Sequence, residues 1–346
     1  MKKYIIIILI LLTTSLVAKN FTFNPGISVE TTYNSNILSL SENDLKRFES
    51  GNEPDKFLLE TSDDLITSAK VELNLKHKLL AGHTQINRFA VKYNKLLNND
   101  FADNYYFEFA LKQYLSKKLN FGFYYYFYPE TFVNRYDSVL DDENIFRDFS
   151  YSKNNYLAKI NYSLNSKYQF NYKFSLSQLF YNKYFTEYDA DNFENEIGIG
   201  ITPSVWLRVK ADYSYKISKA QAGDAFEDPE LVTIIKDGSY ISDIFELSLL
   251  FPEVISISSS PVTLKLGTKV EHTFFQSDNE LDEYHYGRED VIAAFNSDVN
   301  YKISKNLSLK YFYEYKLRDT SSPYSNVVVD KEYDLHETGL TITYSL

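Results

Sequence analysis

The chain has no cysteine. That excludes a disulfide framework, a lipid-attached cysteine and any thiol chemistry. It has only five histidines, His77, His83, His272, His285 and His336, and no two stand at the short spacing of a zinc site. Gly-rich phosphate loops and basic stripes are missing, which argues against nucleotide and nucleic-acid binding. After residue 18 no apolar run reaches the roughly 20 residues of a membrane-crossing helix.

What is present begins with MKKYIIIILILLTTSLVA. Two lysines precede an apolar run from residue 4 to 12, and small residues follow up to Ala18. The pattern predicts a secretory signal peptide over 1–18, with Leu16 where a small residue is usual, leaving 19–346 as the mature chain. A single transmembrane anchor is the alternative, and the run is short for it. An exported chain without disulfides must draw its stability from another source.

That source is written in an alternation. Aromatics make up 17% of the 346 residues, with 31 Tyr and 26 Phe, while net charge is −11 and mean hydropathy is negative. In LNFGFYYYFYPE, Leu119, Phe121, Phe123, Tyr125 and Phe127 share one face, and Asn120, Gly122, Tyr124 and Tyr126 the other. Strand period recurs from Leu65 to Leu75, from Phe170 to Leu176 and from Leu207 to Tyr215, with charged or small residues between the apolar ones. Counting the first segment and the last gives about 14 strands, most longer than the 5–6 residues usual in soluble sheets. Connections alternate in kind. Short ones fall near 79–83, 116–118, 165–168, 202–205 and 304–306. Long ones fall at 39–62, 96–104, 129–148, 186–192, 220–240, 276–288 and 319–333. A soluble sandwich has no reason to alternate them so regularly. Between residues 250 and 262 the register is not fixed by the pattern.

The long connections hold the acid, as in QSDNELDEYHYGRED, and predict a solvated rim. Asp141, Asp142 and Glu143 form a weak calcium candidate, since calcium favours carboxylate oxygens. On the faces opposite the apolar ones lie Arg88, Lys92, Lys112, Glu108, Arg208, Lys210, Asp212, Lys310 and Glu314. They predict a mixed, slightly basic inner wall: either a plug of cross-lumen ion pairs or a wet pore. No nucleophile is marked beside any histidine, so no catalytic residue and no cofactor is expected.

The chain ends HETGLTITYSL. Leu340, Ile342, Tyr344 and Leu346 alternate with Thr341, Thr343 and Ser345, so the last residues form a strand whose edge needs a partner. The leader, the strand–loop alternation and this ending together resemble Gram-negative outer-membrane β-barrel proteins over nearly the whole chain. TTYNSNI also resembles the first strand of a loose group of uncharacterised barrels of that kind. The resemblance implies an all-β transmembrane antiparallel up-and-down barrel in the cell outer membrane. It further implies that Leu340, Ile342, Tyr344 and Leu346 are read by the barrel-assembly machinery, with Leu346 in place of the usual terminal Phe. Expected partners are outer-membrane lipids and lipopolysaccharide, with a monomer favoured and no nucleic acid. The expected function is a porin-like passive channel for small hydrophilic solutes. The alternative is a non-conducting structural or secretion- and polysaccharide-associated barrel acting through its acidic loops. An enzyme is not expected.

Overall fold

The computed structural model describes residues 21–79, 82–137, 145–221, 236–257 and 260–345. The segment 1–18, Asp141, Asp142, Glu143 and Leu346 lie outside the described residues. The strands are β1 (Phe21–Asn34), β2 (Asp64–Leu79), β3 (His83–Leu96), β4 (Asn104–Tyr114), β5 (Leu119–Asp137), β6 (Phe146–Ser163) and β7 (Tyr168–Tyr181). They continue with β8 (Ala190–Ser204), β9 (Leu207–Ala220), β10 (Tyr240–Ile257), β11 (Ser260–Phe275), β12 (Glu289–Lys302), β13 (Leu307–Ser321) and β14 (Tyr333–Ser345). Each pairs antiparallel with its chain neighbours, and β14 pairs with β1, so the 14-stranded sheet closes on itself.

Closure follows from the alternation. Successive side chains point to opposite faces of a strand, and the register keeps each apolar row in line. Ile27 lies opposite Val71 on one side and Tyr344 on the other. Phe107 faces Phe127, their rings 6.4 Å apart and stacked. These rows point outward: Val71 is 59% exposed, Ile197 61% and Phe245 58%. The alternate rows, including Glu30, Lys70, Glu108 and Asp212, point inward. The barrel therefore inverts a soluble protein, with an apolar exterior and a polar interior. Exposed to water, that exterior would cost about 25 cal/mol per Å² of apolar area; against lipid it is matched.

Both rims carry amphipathic rings. Tyr33, Tyr93, Tyr105, Tyr215, Phe274 and Tyr315 face outward near the long-loop end. The Tyr33 hydroxyl donates to Asp63 at 2.9 Å and that of Tyr93 to Asp103 at 2.7 Å. Trp206 sits in the short β8–β9 turn, 6.4 Å from the Phe251 ring. Ring faces on the apolar band with hydroxyls turned to the polar edge suit a lipid–water interface.

Three of the four register shifts adjoin a proline. They fall between Tyr128 and Thr131, between Ile201 and Ser204, and between Phe251 and Ile255, beside Pro129, Pro203 and Pro252. Proline has no N–H for the ladder, so the strand bulges. This resolves the stretch near 250–262: β10 and β11 stay paired across the shift, and Pro252 turns its carbonyl to the Thr263 hydroxyl at 3.0 Å. It also changes one expected loop. Pro129 does not end β5, which continues to Asp137 against a β6 that begins at Phe146.

The loop at 35–63 has its own structure. Helix α1 (Glu42–Ser50) starts where the Ser41 hydroxyl accepts the Asp44 N–H at 3.0 Å, and ends at Gly51 in the left-handed region, φ 65. Leu40, Phe57 and Leu59 form a small core beneath it.

Two outcomes are expected. Deleting residues 343–346 removes the Ile27–Tyr344, Ser28–Thr343 and Leu307–Tyr344 pairings. The shortened chain should lose heat-modifiable migration on gels, and its persistence would count against closure through β14. Arg at Leu73, mid-strand on an outward row, should cost about 2–4 kcal/mol in bilayer unfolding titrations.

Candidate functional site

The inner wall is lined with ion pairs, and strand geometry fixes their direction. Residues two apart share a face. Lys210 therefore reaches Asp212 at 2.6 Å, and Lys269 reaches Glu271 at 2.9 Å, each along its own strand. Other pairs join neighbouring strands. Arg88 bonds Glu108, which Lys70 also approaches at 3.5 Å; Lys310 meets Asp298 at 3.0 Å; Lys173 bonds Glu194 at 2.8 Å and Glu196. Lys92 reaches over β2 to Glu30 at 3.0 Å. Lys112 lies over the Tyr114 ring at 5.0 Å, and Glu314 turns to the interior. Among the described residues, every ion pair between strands links strands at most two apart. The pairs hug the wall and do not bridge the lumen.

Small residues make room for this. At Gly198 a Cβ would stand 1.9 Å from Asp212 Oδ1. Only glycine leaves space for Asn171 of β7 to donate to Asp212 of β9 at 3.0 Å, lying flat across β8. Phe312 likewise lies on Gly339 rather than across the lumen.

A chamber of about 750 Å³ remains in the short-turn half, walled chiefly by β6–β13. Its cations are Lys159, Lys167, Arg208, Lys210, Lys265 and Lys269, against Asp212, Glu246 and Glu314. Lys210 and Lys269 have partners. Among the described residues, Lys159, Arg208 and Lys265 make no ion pair. The chamber therefore carries uncompensated positive charge in a confined space, where screening is weaker than in bulk water.

The opposite end is capped, and here the expectation of simply solvated loops is corrected. Helix α2 (Ser325–Lys331) buries Val327 completely. Its Asp330 accepts from Asn43 of α1 at 2.7 Å, tying the 322–332 loop to the 35–63 loop. Arg135 of β5 donates to the Asp55 carbonyl, and the Tyr324 hydroxyl donates to the Glu280 carbonyl at 2.7 Å. At the centre Asp290 is fully buried. It takes Arg288 at 2.6 Å, Thr320 at 2.9 Å and Arg318, while Arg288 also lies over the Phe275 ring at 4.3 Å. His285 is buried against Asp282 at 2.9 Å, and burial holds its imidazole below the usual range against the pull of that carboxylate. Burial, aided by Arg288 and Arg318, pushes the Lys331 ammonium down to about 7. Lys331 lies over Tyr284 at 5.0 Å and Tyr136 at 5.5 Å.

The strand alternation alone does not predict the cap. Two signals for it exist: Arg288 and Asp290 stand at same-face spacing, and Val327, Val328 and Val329 form an apolar run inside a polar loop. The expected inner-wall residues Arg88, Lys92, Lys112, Glu108, Arg208, Lys210, Asp212, Lys310 and Glu314 all project inward. They divide between two walls, and Arg208, Lys210, Asp212 and Glu314 meet in the chamber. Among the described residues no three His, Asp or Glu side chains gather as a metal set.

No family model matches the chain, and no curated protein matches it. The barrel is similar to solved outer-membrane proteins. The outer membrane channel DcaP of Acinetobacter baumannii is 11% identical, over 94% of this chain and 97% of that one, with TM-score 0.49. In-vitro folded OmpT of Vibrio cholerae, in its trimer form, is 9% identical over 94% and 99%, with TM-score 0.48. A bacterial polysaccharide outer membrane secretin is 8% identical over 93% and 98%, with TM-score 0.47.

The cap should respond to pH through Lys331. Its folded value, about 7, lies below that of an unfolded lysine. Between about pH 7 and 10.4 the unfolded segment binds the extra proton, so cap stability rises with pH across that window. Below it Lys331 is charged beside Arg288 and Arg318, and the cap is at its loosest. Proteolysis of the 322–332 loop should slow as pH rises from 7 to 9, and Lys331→Met should flatten that change. An unchanged slope in Lys331→Met would reject the assignment.

Proposed function

We propose that the protein is an outer-membrane, porin-like channel that passes small hydrophilic solutes and favours anions. A closed barrel leaves no backbone edge unpaired in lipid, and the outward apolar rows between two aromatic rims suit a bilayer. Long loops on the outer face and short turns on the periplasmic face follow the usual arrangement of such barrels. The observation that carries the channel reading is the path of the ion pairs. They run along the wall, and the chamber they leave has six cations against three anions.

The cap supports a second reading, a non-conducting barrel that meets partners through its outer loops. The contact of Asn43 with Asp330 closes part of the mouth. The two readings differ in one measurement. Single-channel recording in a planar bilayer should give small, anion-favouring conductance, raised by deleting residues 325–331. No conductance at any salt, from the full chain or the deletion, would leave the second reading.

Selectivity tests the wall. Exposed loop charge is screened beyond about 8 Å at physiological salt, whereas chamber charge acts on a solute at short range. Reversal potentials should therefore favour anions at high salt and shift toward cations as salt falls and the acidic outer surface is felt. Arg208→Glu combined with Lys265→Glu changes cations without ion pairs, so it should move selectivity toward cations at every salt. Unaltered reversal potentials would remove the chamber from the conduction path.

A further inference from the structure

The wall above the chamber carries a different chemistry. Tyr106 of β4, Tyr124, Tyr126 and Tyr128 of β5, Tyr151 of β6 and Tyr181 of β7 all face inward. Their rings gather in two groups: Tyr106 is 6.3 Å from Tyr126 and 5.2 Å from Tyr128, and Tyr151 is 5.3 Å from Tyr181. The lane's lower end is next to the chamber in register, through the β5–β6 pairing. Tyr124 folds back over Gly122, where an added Cβ would stand 2.8 Å from its ring edge. In the β5–β6 register Gly122 lies opposite Lys159. Lys159 lines the chamber, and among the described residues it makes no ion pair. Its cross-strand neighbour Lys173 is already held by Glu194 and Glu196. Lys159, a chamber cation without an ion pair, thus stands in register opposite the glycine that the half-buried Tyr124 ring covers.

We propose that this junction binds a small carboxylate borne on a ring, its carboxylate on the Lys159 ammonium and its ring against Tyr124. The inference rests on the channel reading for access and names the solute class of the same lumen. The charge surplus selects an anion. The ring against Tyr124 favours a flat or pyranose face over an alkyl chain, because an aromatic face packs best against an extended partner surface. A chamber of about 750 Å³ is within the usual range for small-molecule sites and accepts one or two rings. Aromatic acids and sugar acids share this chemistry.

The test is calorimetric titration of the refolded full-length barrel in detergent micelles, which does not require conduction. The probes are benzoate, glucuronate, acetate and glucose. Benzoate or glucuronate should bind at least tenfold more tightly than acetate and than glucose, and the tighter of the two identifies an aromatic or a sugar acid. Tyr124→Leu should remove the advantage over acetate, and Lys159→Gln the advantage over glucose, with heat-modifiable migration retained in both. If Tyr124→Leu does not fold, Lys159→Gln still decides. Acetate binding as tightly as the ring acids, no binding of any probe, or preferences unchanged in the variants would overturn the proposal. A barrel that binds ring acids without conducting would overturn the channel reading alone.

Discussion

Closure of the backbone hydrogen-bond ring is the constraint on which everything else rests. In lipid an unpaired N–H or C=O costs several kcal/mol, so a sheet can cross only if it has no edge. The antiparallel pairing of β1 with β14, Val29 opposite Ile342, removes the last edge. Once the ring is closed, each strand has an inside and an outside, and the two-residue period assigns every side chain to one of them. The apolar rows take the exterior, and the interior must then be polar. Stability comes from the ladder and from matching the exterior to its surroundings, and among the described residues the barrel interior is polar.

The polar interior solves a second problem. Charges in a confined lumen must be satisfied without filling it. Pairing along a strand, as in Lys210 with Asp212, or between close strands, as in Arg88 with Glu108, does so at the wall. Glycines under Asp212 and Phe312 keep these side chains flat. The pairing is incomplete where β6, β9 and β11 contribute Lys159, Arg208 and Lys265, and that incompleteness gives the chamber its sign. The cap does the reverse. There Arg288, Arg318 and Thr320 converge on one buried carboxylate, Asp290, and the loops gather above it.

Buried charge in the cap and uncompensated charge in the chamber have opposite consequences. Removing Asp290 would leave the buried Arg288 without its carboxylate, a loss of about 3–5 kcal/mol. Removing Lys159 or Arg208 leaves nothing unpaired. The first set is therefore structural, while the second is free to meet a solute. The same two residue types, lysine and arginine, serve both ends, and only their neighbours distinguish them.

The sequence alone determined which face of each strand is apolar, how many strands there are, and which connections are long, because period two and turn composition are local properties. Phe121, Phe123 and Tyr125 point outward whatever β5 pairs with. Tertiary structure decided what depends on partners. The run from Pro252 to Ile257 shows no unambiguous period, and its register exists only against β11. Arg288 and Asp290 are two apart in any strand, but Arg318 joins them only because β13 lies beside β12. That Lys173 is ion-paired and Lys159 is not follows from how closely β8 brings Glu194 and Glu196 to the first. Face is fixed by the chain's own geometry; register, the cap and the sign of the chamber are fixed by which strands and loops become neighbours when the ring closes.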